Sequence, residues 1–154
     1  MEGPEPTVEG AQHAIEAGIY MIAHNALTPE QHKQAAQKGI FLAGTDTPFT
    51  PYRGTQQAFD HAVAQLKSAY TAGVKLTFST DFDYWNERIK DEKTGRWMTR
   101  GDLTTNFLLT WTAAGLPTAA ILRGMTLHGY RRADAIAGRG TTTPGRLAVI
   151  TPRP

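Results

Sequence analysis

Two side chains with metal-binding chemistry each follow an apolar run of this sequence. His24 follows the run 19–23, and Asp81 follows the run 74–80. An imidazole and a carboxylate are ligands that zinc takes in catalytic sites, where the carboxylate can also accept a proton from bound water. Each residue also has an ordinary structural role open to it: a hydrogen-bonded strand-end histidine, and an aspartate that caps a loop. From these residues alone, a metal site and two separate structural roles both remain open.

A repeated pattern indicates which elements position these side chains. A helix-like segment that ends at a glycine, followed at once by a short apolar run, occurs three times. Glycine suits the left-handed position that closes a helix. The pattern predicts helices over 7–17, over 28–38 and up to residue 72, closed by Gly18, Gly39 and Gly73, with strands over 19–24, 40–45 and 74–80.

Strands that alternate with helices through short turns indicate a parallel α/β sheet. The carboxyl ends of parallel strands lie at one edge, where barrels and doubly wound sheets bind their ligands. We therefore expect His24, Thr45 and Asp81 to lie at the same edge of the sheet.

The chain after Asp81 predicts a rim and a packing layer. A polar loop over 82–101 contains aromatic and basic side chains, of which Tyr84, Trp85 and Arg100 are candidates for substrate contacts, with rim packing as the alternative. A helix capped by Asp102 is expected to end at Gly115, and a second helix to follow. A short strand is predicted over 146–151. Three parallel strands cannot close a barrel, so this portion appears incomplete as a fold.

Composition and charge exclude several classes of function. The chain has 154 residues, a net charge of +2 and no cysteine. The basic residues are scattered, which disfavours nucleic-acid binding, and no apolar run approaches the ~20 residues that span a bilayer. Residues 1–12 lack the features of a signal peptide, so no compartment is indicated. Without cysteine, a metal would be held by His, Asp or Glu.

The remaining histidines are expected to have structural roles. His13, His32 and His61 are predicted on solvated helix faces, and His128 is predicted to pack or to cap a helix. The signatures of zincins, α/β-hydrolases and P-loop proteins do not occur in the chain.

Longer motifs occur in a fixed order along the chain. Residues 14–24 contain AIEAG followed by IAH, residues 72–81 read AGVKLTFSTD, and residues 111–126 contain AAGLP followed by ILRGMT. In this order they resemble the C-terminal part of the amidohydrolase superfamily, in its imidazolonepropionase-like and Xaa-Pro dipeptidase-like members. The family has Glu where this chain has Ala23, and Gly where it has Ser79. The tripeptide Gly-Thr-Asp at 44–46 also matches the end of the family's second motif. Asp81 is preferred because only Asp81 precedes the third motif at a suitable distance.

The resemblance implies a fold, an activity and a site. The fold would be a partial TIM-type (β/α) barrel, covering roughly strands six to eight and the C-terminal helices over residues 1–140. Residues 141–154 would be the terminal strand of a composite β-sandwich. His24 would be a metal ligand, and Asp81 would be both a metal ligand and the general base. The metal would be a divalent ion, most commonly zinc, and the substrate a dipeptide or a cyclic amide.

The family's first-strand H-x-H, bridging ligand and fifth-strand histidine have no counterpart in this chain. The resemblance therefore implies a missing N-terminal barrel half or a partner chain, and little activity for this chain alone. Related proteins are often exported. The alternative from a different class is a non-catalytic α/β scaffold or interaction module without a competent metal site.

Overall fold

Three parallel strands and five helices form the described part of the computed structural model, which comprises residues 8–23, 27–44, 55–79, 90, 94–97 and 99–128. The elements in chain order are α1 (Val8–Glu16), β1 (Met21–Ala23), α2 (Pro29–Gln37), β2 (Phe41–Gly44), α3 (Gln56–Thr71), β3 (Lys75–Phe78), α4 (Arg100–Ala113) and α5 (Thr118–Met125). The strands pair in the order β1-β2-β3, and both pairs are parallel. The predicted α/β class and its alternation of helix and strand are confirmed. The strand predicted over 146–151 and the boundary predicted after residue 140 lie outside the described residues.

Glycines end the helices where the sequence pattern placed them. Gly18, Gly39 and Gly73 have φ angles of 68°, 68° and 86°, and Gly115 has 75°. This left-handed region is unfavourable for residues with a Cβ, so glycine lets the chain leave the helix and enter the next strand. The strands are shorter than the apolar runs that predicted them.

Capping boxes begin two of the described helices, α2 and α4. At α2, Gln31 N–H donates to Thr28 Oγ1 at 3.2 Å, and the Gln31 side chain accepts from Thr28 N–H at 3.0 Å. At α4 the N-cap is Thr99, and Asp102 completes the capping box three residues later. The prediction that Asp102 itself is the cap was therefore wrong. Asp102 is the acidic member of the box, because the helix begins three residues earlier than its apolar pattern.

One face of the sheet is covered by helices. Ile22, Leu42 and Leu76 pair in one row across the three strands. They belong to the same buried cluster as Ala35 of α2 and Leu66 of α3. Because successive strands are neighbours and crossovers are right-handed, both connecting helices fall on this face. Contacts run in succession from α1 to α2, α3 and α4.

Alternate residues of the strands lie on the opposite face. Phe41 is buried there. The centroid of its ring lies 5.2 Å from the centroid of the Tyr20 ring and 5.3 Å from the Lys75 ammonium group. The ring of His128 meets Phe41 edge-on, with centroids 5.7 Å apart. Aromatic and cationic groups therefore surround Phe41 at the amino end of the strands.

His128 and α5 lie against the outer side of β3. The Phe41 amide donates to Tyr20 O, so in the alternating parallel ladder the Leu76 carbonyl points away from β2. His128 Nδ1 donates to that carbonyl at 2.6 Å, and α5 packs against β3. The predicted packing role of His128 is confirmed.

Trp111 is the largest fully buried side chain in the described core. Phe78 meets its indole in a T-shaped contact with centroids 5.7 Å apart. A Cβ on Gly124 of α5 would lie 2.8 Å from two indole carbons. The absence of a side chain at Gly124 therefore lets α5 approach both Trp111 and β3.

Gly124→Ala should lower the free energy of unfolding. Alanine favours a helix over glycine by about 1 kcal/mol, but overpacking a rigid buried indole costs about 1–3 kcal/mol. Urea denaturation of the variant would measure the net loss. In a Trp111→Phe background the ring atoms that clash are gone and Leu76 O remains 3.3 Å away, so the same substitution should cost clearly less. An equal cost in both backgrounds would contradict this contact.

Candidate functional site

The carboxyl ends of the three strands lie at one edge of the sheet. Ala23, Ala43 and Thr77 are paired across the strands in the last row that all three share. Neighbouring strands are separated by about 4.8 Å, so β1 and β3 lie about 10 Å apart with β2 between them. β1 ends at Ala23 and β3 ends at Phe78, so the residues that follow the strands in the chain are 24 and 79. The predicted meeting of the strand ends at one edge is confirmed for the strands themselves.

The residues predicted to perform chemistry follow these strand ends in the chain. His24, Thr45, Asp81, Tyr84 and Trp85 lie outside the described residues. The remaining candidate, Arg100, is the first residue of α4, and its side chain also lies outside the described part. Their roles as ligands, base and substrate contacts remain predictions.

Small side chains form the row beneath this edge. Ala23, Ala43 and Thr77 alternate with the helix-facing row, so they lie on the face opposite the helices. Ala43 is 4% exposed and Thr77 is fully buried. Two methyl groups and one threonine fill little volume next to the strand ends.

Thr77 carries a buried polar group in this row. Its Oγ1 has no hydrogen-bond partner within the described portion of the chain. Burying a hydroxyl without a partner costs about 1–3 kcal/mol, so such a group in a native fold requires an explanation. Its position next to the strand ends makes it a candidate donor to a group bound at the edge.

His32 departs from the sequence-based expectation. Predicted on a solvated helix face, it is fully buried, and its Nδ1 lies 2.9 Å from Ser68 Oγ of α3. Burial lowers the pKa of His32. The prediction failed because His32 lies on the same side of α2 as Ala35, three residues later, and that side packs into the helix layer. The three-residue spacing between His32 and the small residue Ala35 was the signal in the sequence that could have indicated burial of His32. His13 and His61 are exposed, as predicted.

The polar segment before α4 contains more order than the expected loop. Lys90 and Trp97 form an isolated antiparallel bridge, with the Lys90 ammonium 4.6 Å from the centre of the Trp97 ring. Arg96 pairs with Asp102 at 3.0 Å. The Thr99 backbone N–H donates to the Asp102 carboxylate at 2.8 Å and lowers its pKa, with smaller effects from the Thr99 hydroxyl and Arg96. These contacts attach the segment to the start of α4.

The groove between α1 and α2 is a helix-packing feature. It has a volume of about 530 Å³ and is lined by polar residues, including three glutamates. Gln12 of α1 donates to Gln34 Oε1 of α2 at 3.0 Å, and Gln31 of α2 donates to Val8 O at 2.7 Å. These bonds join the two helices.

The comparisons with known proteins gave no match for this chain. No protein-family model, curated protein or solved structure matches this chain. Within the described ranges, no three His, Cys, Asp or Glu side chains are grouped so that they could hold a metal ion. Among the described helices, none is long and apolar enough to cross a membrane.

Thr77→Val tests whether the buried hydroxyl lacks a partner. Valine has nearly the same shape and removes the desolvated oxygen, so the free energy of unfolding should stay equal or rise by about 1 kcal/mol. Urea denaturation measures this change. Thr112→Val is the control, because the Thr112 hydroxyl donates to Leu109 O at 2.9 Å and its loss should be neutral or destabilising. A loss above about 1 kcal/mol in Thr77→Val would show that its hydroxyl has a partner in the folded chain.

Proposed function

We propose that this chain is the C-terminal part of a metal-dependent amidohydrolase that hydrolyses carbon–nitrogen bonds, with its site at the carboxyl edge of the sheet. One observation carries the proposal. β1, β2 and β3 are adjacent, parallel and in register, so their carboxyl ends share one edge. His24 is bonded to the last residue of β1, and Asp81 follows the end of β3 by three residues.

The winding of the sheet supports a barrel-type fold for the whole protein. In a doubly wound sheet the strand order reverses and helices cover both faces. Here successive strands are neighbours, and α2 and α3 contribute to one buried cluster on one face. A (β/α) barrel is built by continuing this winding until the sheet closes. The chain would then supply about three of eight strands, and a further segment or partner chain would supply the rest.

The strand ends suit a divalent metal. An imidazole and a carboxylate are zinc ligands, and two strands about 10 Å apart lie within the span that a pair of inward-pointing side chains can bridge. The row below the edge contains small side chains and the Thr77 hydroxyl, whose missing partner fits a polar group bound above it. Catalytic zinc generally takes three protein ligands. For catalysis, His24 and Asp81 would therefore require at least one further ligand from the rest of the barrel, whereas the two together are expected to bind zinc.

The chemistry follows from the roles of these two side chains. When bound, the metal would polarise the carbonyl of an amide and lower the pKa of a water molecule. Asp81 would accept the proton of that water and then donate it to the leaving nitrogen. His24 would hold the metal through one ring nitrogen and be oriented through the other.

The substrate proposed for this site is a small amide, either a dipeptide or a cyclic amide. Tyr84, Trp85 and Arg100 are proposed to contact it from the segment that follows β3. Neither a nucleic-acid partner nor a membrane partner is part of this proposal.

Zinc should raise the melting temperature of the chain through His24 and Asp81. At a free zinc concentration about 100 times the dissociation constant, binding to the folded form stabilises it by about 2.7 kcal/mol. For a chain of this size that corresponds to a rise of about 5–10 °C. His24→Asn and Asp81→Asn should each remove most of the shift measured by thermal unfolding, relative to the protein with chelator.

The controls for zinc binding are His61→Asn and Asp60→Asn, because both side chains are exposed on α3. They should retain the full shift. An unchanged melting temperature in the original chain would favour the alternative of a scaffold without a metal site.

The isolated chain, supplied with zinc, should hydrolyse Xaa-Pro dipeptides no faster than a blank. Two protein ligands leave the catalytic set incomplete even if zinc binds. Release of free proline would be followed over time with the purified protein. Turnover well above the blank that disappears in Asp81→Asn would show that this portion is sufficient by itself.

A further inference from the structure

We propose that the contact between α2 and α3 is a pH-sensitive joint, in which protonation of His32 separates α2 from the rest of the helix layer. This inference concerns the described helices and does not depend on a metal or on hydrolysis. It accounts for a buried titratable side chain that the proposed chemistry does not use.

The joint consists of one imidazole and one hydroxyl on facing helices. His32 is fully buried, and its Nδ1 lies 2.9 Å from Ser68 Oγ. Its other nitrogen, Nε2, is also buried and has no partner in the described portion of the protein. Gln65, one turn before Ser68, has a buried amide oxygen that also lacks a hydrogen-bond partner in the described portion of the protein. The joint therefore already holds polar groups that lack hydrogen bonds.

Protonation would make this arrangement less favourable. In neutral His32 one ring nitrogen bears hydrogen and the other accepts, and Ser68 can satisfy Nδ1 in either role because a hydroxyl both donates and accepts. Imidazolium carries hydrogen on both nitrogens, so Nε2 must be a buried donor without a described partner, and the ring carries a positive charge away from water. A buried unpaired charge is far more costly than a buried neutral group. Burial accordingly lowers the pKa of His32.

Nearby charges do not compensate for an imidazolium at this position. The two helices packed against α2 carry their charged and titratable groups on exposed positions: Glu9, His13 and Glu16 of α1, and Asp60, His61, Lys67 and Tyr70 of α3. On α2 itself, Glu30 pairs with Lys33 at 3.3 Å. Lys38 donates to the carbonyls of Ile15 and Glu16. On the sheet, Lys75 lies over Phe41 on the other face. None of these groups has a hydrogen bond to His32 among the described contacts.

The direction of the pH effect follows from the lowered pKa. The pKa of His32 in the folded chain is below the ordinary histidine value of 6.5, which applies to the open or unfolded chain. The open form therefore binds the proton more tightly, and the stabilisation from neutral His32 is fully present above pH 6.5. It is lost as the pH falls from 6.5 toward the folded pKa. A single histidine can change the opening equilibrium by up to about tenfold per pH unit in this window.

α2 is the element suited to respond. It has nine residues, whereas α3 has sixteen, and it is joined to α3 through the imidazole–hydroxyl pair and to α1 through glutamine side chains. Short helices depend on tertiary packing for their stability. Charging His32 should therefore open α2 and its contact on α3, while the β3, α4 and Trp111 region stays closed.

Hydrogen exchange at about pH 7.5 and about pH 5.5, corrected for intrinsic exchange rates, tests the joint in the histidine titration range. In the original chain, α2 and residues around Ser68 should lose up to about tenfold in protection at the lower pH, whereas β3 and α4 should lose much less. His32→Asn places a non-titrating acceptor where Nδ1 was, so this selective loss should disappear. His61→Asn, an exposed histidine on α3, should behave like the original chain.

Two results would overturn the proposal. One is unchanged protection of α2 at the lower pH, and the other is the same loss in His32→Asn as in the original chain. A measurement without variants covers the case in which His32→Asn does not fold. The His32 ring proton resonance of the folded chain should stay neutral through the range in which α2 loses protection and should titrate only at lower pH. A resonance that already titrates at the ordinary histidine pKa while α2 keeps its protection would equally reject the joint.

Discussion

The packing of one apolar row against the helix layer supports the described fold. Ile22, Leu42 and Leu76 present one large aliphatic side chain per strand, and helices α1 to α5 cover them. Without this row the short strands would pair only weakly, because an isolated small parallel sheet buries too little apolar surface to be stable. The row also fixes the register, since a shift by one residue would move these side chains to the opposite face.

The same register determines the chemistry available at the sheet edge. If the large residues face the helices, the alternate positions Ala23, Ala43 and Thr77 must face the other side. Ala43 and Thr77 are buried on that side, and Thr77 has a hydroxyl without a described partner. The apolar core on one face and the small side chains on the other are therefore two results of one alternation. This link between the core and the candidate site underlies the proposal of a ligand-binding edge.

Side-chain hydrogen bonds between helices distinguish two regions of the helix layer. Around Trp111, α4 and α5 approach closely because Gly124 has no side chain, and the Trp111 Nε1 group is buried without a described partner. Between α2 and its neighbours, the side chains of His32, Gln31 and Gln34 take part in hydrogen bonds in addition to the apolar contacts. Polar interhelical contacts depend on protonation state and water in a way that aliphatic packing does not. The two regions should therefore differ in how much they stabilise the packing of helices on the sheet.

The sequence by itself determined the alternation of helices and strands, because the glycine stops, the Thr28 capping box and the apolar runs are local signals. It also indicated that His24 and Asp81 follow the first and the third of three parallel strands. Only the tertiary structure decided that the helices share one face and that Thr77 is buried without a described partner. It also replaced the predicted solvated position of His32 with a buried contact to Ser68, 36 positions away. Burial and long-range pairing depend on which helix faces meet, and residue type and local spacing do not specify that choice.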